Sequence, residues 1–88
     1  MNSTPDLYRL LAEYSTASGQ ARAKEIIRDV DARTLANAFA DSEPVHIQLG
    51  FLEAYKESRA EHALAEAAEQ IAREAFNAAK KHCDQTKK

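Results

Sequence analysis

Residues 44–83 read PVHIQLGFLEAYKESRAEHALAEAAEQIAREAFNAAKKHC. The stretch holds one glycine, Gly50, no proline after Pro44, and a second half dense in alanine. This composition predicts one long helix, about 60 Å from end to end at 1.5 Å per residue. Its first part sets Val45, Leu49, Leu52 and Tyr55 on one side, and Lys56-Glu57-Ser58-Arg59 is polar all round. Leu64, Ala68, Ile71, Ala75 and Ala79 then form a second stripe, turned roughly 150° from the first at about 100° per residue. Ala63, Ala67, Ala72, Phe76 and Ala78 widen that stripe to roughly 220° of the circumference, enough to meet two neighbouring helices. Val45, Ile47, Leu49 and Phe51 also alternate as a strand would, but a single strand has no partner elsewhere in the chain. Gly50 costs the helix roughly 1 kcal/mol against alanine.

Upstream, local signals predict shorter helices. Thr4 as cap, Pro5 at the first helical position and Asp6 at the positive end of the dipole open a helix over 5–17. Leu7, Leu10, Leu11 and Tyr14 form its stripe, and Ser18-Gly19 is read as its end. Ala23, Ile26, Ile27 and Val30 mark a helix over 20–30, and Leu35, Ala38 and Phe39 mark one over 32–41. The two stripes are offset by about 115°, so a straight helix over 20–41 would show two faces to two neighbours, whereas a break at Asp31, the preferred reading, lets both face one core. Asp41-Ser42-Glu43-Pro44 is the clearest boundary, with Ser42 read as the cap of the long helix. Residues 84–88 are read as a polar tail.

The expected fold is therefore all-α in a single domain over 1–88, with two or three short N-terminal helices packed on one long C-terminal helix. Such a cap covers about 20–33 Å of a rod about 60 Å long. The uncovered half then predicts either a break near residues 57–62 that folds the rod back or, as no glycine or proline marks one, pairing through Leu64, Ala68, Ile71, Ala75 and Phe76, in the simplest case as a homodimer. Tyr8, Phe51, Tyr55 and Arg59 are the candidates for contact with a different protein, because aromatics and arginine are enriched at hot spots.

Composition narrows the function classes. Formal charge is −2, which gives no global positive field for nucleic acid or an anionic membrane. The single cysteine, Cys83, permits no disulfide within the chain. Together with an N-terminus lacking a signal-peptide pattern, it points to a cytoplasmic protein. No apolar run approaches the ~20 residues that span a bilayer. His46, His62 and His82 are far apart and lack ligand spacing, so no metal or other cofactor is expected. Glu61-His62 and Glu66 read as a solvated surface pair. Cys83, near the negative end of a helix dipole, is a poor nucleophile. No catalytic residue emerges, and an enzyme is not expected.

One alternative has a recognisable outline. Residues 20–41 resemble a helix-turn-helix, with the long helix serving for dimerisation. Its turn would fall at Asp31 rather than at glycine, and its second helix carries Arg33 as the only base for DNA. Acidic overall charge weighs against this regulator, since phosphate contacts dominate DNA affinity. The leading expectation is a small non-enzymatic interaction protein that docks on another protein as an inhibitor, adaptor or chaperone-like subunit.

Overall fold

In the computed structural model, which describes residues 4–86 with side chains from Asp6 to Cys83, the chain reverses once, at residues 41–44. Helix α1 spans Thr4–Ala40 and helix α2 spans Val45–Thr86. The reversal is a Schellman motif. The Glu43 amide donates to the Ala38 carbonyl at 3.0 Å, and the Ser42 amide donates to that of Phe39 at 3.2 Å. Pro44 follows with its carbonyl accepting from the Ile47 and Gln48 amides, which starts α2. Ser42 thus closes α1 instead of capping α2, and it does so at φ 55°, a left-handed conformation that favours glycine. Ser42→Gly is expected to raise stability by about 1 kcal/mol, read as a higher urea midpoint with an unchanged slope.

The expectation of two or three short helices on a long one is overturned. The short helices over 5–17, 20–30 and 32–41 are one continuous 37-residue helix, α1, antiparallel to the 42-residue α2. Gly19 lies inside α1 with negative φ, and nothing turns the chain at Asp31. A mid-helix glycine costs only about 1 kcal/mol, which the helix alongside can offset. Because α1 is about 55 Å long, it reaches along most of α2, which the short cap could not do. The hairpin measures 66 × 15 × 14 Å, with a radius of gyration of 19.5 Å. α2 runs unbroken through 57–62 and on to Thr86, and Val45 to Phe51 are helical. The side chain of Thr4, expected as a cap, and residues 87–88 of the expected tail lie outside the described residues.

The helices meet along a seam with alternating three- and four-residue spacing, as in a coiled coil. On α1 the seam is Leu7, Leu10, Tyr14, Ala17 and Ala21, then Lys24, Arg28 and Asp31, then Leu35 and Ala38. On α2 it passes through Phe51, Tyr55, Ser58, His62, Ala65, Glu69, Ala72, Phe76 and Ala79. Both ends are apolar and the middle is polar. Only Ala21 and Ala38 are buried among the described apolar side chains, alongside the polar Ser58 and His62. Hydrophobic stabilisation scales with the apolar area removed from water, so this seam supplies a thin core.

Candidate protein interface

The polar middle of the seam is internally satisfied. Lys24 Nζ donates to Glu61 Oε2 at 3.0 Å, with both side chains well over a third exposed. Such a pair contributes no more than about 1 kcal/mol. Arg28 donates from Nε and Nη2 to Asp29 Oδ1 at 3.1 and 2.8 Å, and from Nη1 to Nδ1 of His62 at 3.2 Å. The bond to Asp29 raises the Arg28 pKa, with burial opposing it. Because arginine only donates, His62 Nδ1 is the acceptor in this pairing. Glu66 Oε1 lies 3.7 Å from the same nitrogen.

His62 is 7% exposed, so it is a seam residue and not half of a solvated pair. Beside it lies a notch of about 150 Å³, lined by Arg22, Glu25, Glu66 and Glu69 among others. No buried side-chain polar atom among the described residues lacks a partner. No cluster of metal-binding side chains occurs among them either. The notch therefore offers mixed charge but no unmatched group aimed at a ligand.

Towards the open end the seam carries aromatic contacts. The Tyr14 and Phe76 rings are 6.3 Å apart. Arg73 Nε donates to the Tyr14 hydroxyl at 3.2 Å, and its guanidinium lies 5.9 Å from that ring's centre. The hydrogen bond raises the Arg73 pKa. This cluster fixes the register far from the turn.

The seam leaves two long flanks. In an antiparallel pair, equivalent edges of the two helices lie on the same side. The edge of α1 bearing Ala23, Ile27 and Val30 therefore joins the edge of α2 bearing Leu64, Ala68, Ile71 and Ala75. This flank is apolar yet exposed, with Leu64 at 73% and Ile71 at 69%. The opposite flank is charged along its middle, through Arg22, Glu25, Arg59 and Glu66, and apolar near the turn. There Ala32, Leu35, Ala36, Phe39 and Tyr55 line a shallow cavity of about 270 Å³.

No protein-family model, no curated protein and no solved structure matches the chain. Its function is read from its own surfaces.

Four of the residues expected to self-associate, Leu64, Ala68, Ile71 and Ala75, share the apolar flank, whereas Phe76 is half-buried in the seam against Tyr14. Ala23, Ile26, Ile27 and Val30, expected to pack within an N-terminal cap, are exposed on or beside the same flank. Of the candidates for a foreign partner, Phe51 and Tyr55 are half-buried in the seam near the turn. Arg59 is exposed one turn beyond Tyr55, and Tyr8 is exposed near the opposite end of the hairpin, so the four do not form one patch. Phe39, 54% exposed at the cavity rim, is the residue the sequence reading missed. Arg33 is exposed on an uninterrupted helix, and the separate second helix that a helix-turn-helix would insert into a groove does not exist. No described helix is long and apolar enough to cross a membrane.

Proposed function

We propose that this protein is a non-enzymatic docking module that presents an extended helical hairpin to another protein, as an adaptor or inhibitor. The observation supporting this reading is the reversal of the usual burial pattern. At the turn end the large side chain of Phe39 stands 54% in solvent at the rim of an apolar cavity lined by Ala32, Leu35, Ala36 and Tyr55, while Lys24, Arg28 and His62 occupy the seam. Exposed contiguous apolar surface of this kind marks association sites. The foreign partner docks at the turn end of the charged flank, where the shallow cavity beside Phe39 and Tyr55 accepts an apolar anchor and Arg59 supplies a cation at the margin.

Affinity capture from nuclease-treated lysate of the native cells tests the reading. One protein in stoichiometric amount is expected with the wild-type chain, reduced at least tenfold by Phe39→Glu. Equal recovery by both, or no protein besides the chain itself, overturns it.

A further inference from the structure

The apolar flank is a different surface from the cavity end, and its occupant can be argued independently of the docking reading. We infer that this flank is covered by a second copy of the chain, so that two hairpins form an antiparallel four-helix bundle.

Surface area supports this occupant. A compact chain of 9.8 kDa exposes about 5,200 Å² by the size scaling of monomeric proteins, whereas this one exposes 6581 Å². The excess is about 1,400 Å² per chain. Burying it in a symmetric dimer gives an interface of about 2,800 Å², within the range of obligate homodimers. The need for cover is also permanent, because the seam alone buries no large apolar side chain among the described residues. A second copy is always present in matching amount.

The placement of polar residues fits the same arrangement. In a four-helix bundle each core-facing helix needs an apolar stripe wider than a two-helix seam. Here the stripe is completed on the flank, by Ile27 and Val30 on α1 and by Leu64 and Ile71 on α2. The α1–α2 seam then becomes the lateral edge of the bundle, where Lys24, Arg28 and Glu69 keep access to water. Charge permits the contact as well. From Thr16 to Val30 on α1, and from Leu64 to Ala78 on α2, the positions along this flank carry no charge. Two copies can therefore meet there without like-charge repulsion.

Sedimentation and light scattering across a dilution series test this. The wild-type chain is expected at about 20 kDa, twice its 9.8 kDa, at tens of micromolar. Leu64→Glu and Ile71→Glu each weaken the dimer about 100-fold or more, because each buries an unpaired charge. Since those variants can lose structure, a second measurement uses cysteine pairing in a Cys83→Ser background. Ala68→Cys, near the two-fold axis of the dimer, is expected to cross-link to itself under mild oxidation, whereas Ala63→Cys on the opposite flank is not. A helical, cooperatively melting chain of 9.8 kDa at every concentration overturns the inference, as does equal cross-linking at both positions. Neither outcome bears on capture through Phe39.

Discussion

Asp31→Pro is expected to remove most of the chain's stability. Asp31 lies well inside α1, and a proline there removes its amide bond to the Ile27 carbonyl. The ring also clashes with that carbonyl and drives Val30 away from helical angles. The cost is about 3 kcal/mol or more. An 88-residue chain has on the order of 4–13 kcal/mol of total stability, and the thin seam places this one near the lower end. The far-UV circular dichroism melt should therefore have its midpoint lowered by about 12 °C or more. Asp31→Ala, which keeps the backbone bond and favours helix, should stay within about 1 kcal/mol of wild type. Were 31 a turn between two short helices, the proline variant would fold, melt like wild type and restore the DNA-binding outline to consideration.

The same residue shows where the sequence was readable and where it was not. α2 was legible because forty residues with one glycine and no internal proline leave few alternatives to helix. The continuity of α1 was not legible because in its middle the apolar residues do not mark the line along which it packs. Ala23, Ile26, Ile27 and Val30 form a clear stripe, and so do Leu35, Ala38 and Phe39. Their offset suggested a break. The packed line follows the second stripe through Leu35 and Ala38 but passes beside the first, through Lys24, Arg28 and Asp31, so a search for hydrophobic periodicity steps off the seam in the middle of the helix. Regular spacing was the available signal. Leu7, Tyr14 and Leu35 fall whole heptads apart, as do Tyr55 and Phe76. Ser18-Gly19 added a second false boundary, since a helix supported along its length tolerates a glycine that would end an isolated one.

For the candidate interface the balance differs. The stripe of Leu64, Ala68, Ile71 and Ala75 was legible, because exposed apolar residues at helical spacing need no tertiary information to be grouped. Its continuation onto α1 was not. That Ile27 and Val30 share a side with Leu64 depends on the turn at 41–44 and on the register set by Lys24–Glu61 and Tyr14–Phe76. Phe76 counts in the sequence among the residues that widen this stripe, yet a step of about 100° from Ala75 carries it into the seam.

That one-residue distinction makes Phe76→Ala the second large effect. Truncation removes the ring that packs on Tyr14 and leaves Arg73 holding a hydroxyl on a loosened side chain. Phe→Ala in a full core costs 3–5 kcal/mol, and at this half-buried position about 2–3 kcal/mol is expected. The loss should be spatially uneven. The turn end is closed by the Schellman motif and by Tyr55 packing on α1, whereas beyond Phe76 the described residues that continue the seam are Leu7, Leu10, Ala79 and Cys83. Hydrogen exchange should therefore accelerate first over residues 6–17 and 72–83, and later near the turn. Ile71→Ala supplies the contrast. In an isolated hairpin its 69%-exposed side chain stabilises almost nothing, so the melting temperature should not move. In a bundle of two hairpins the same truncation costs about 2 kcal/mol or more, and the loss grows on dilution because stability there depends on protomer concentration. The two variants thus separate what holds the helices to each other from what the pair of helices is built to hold.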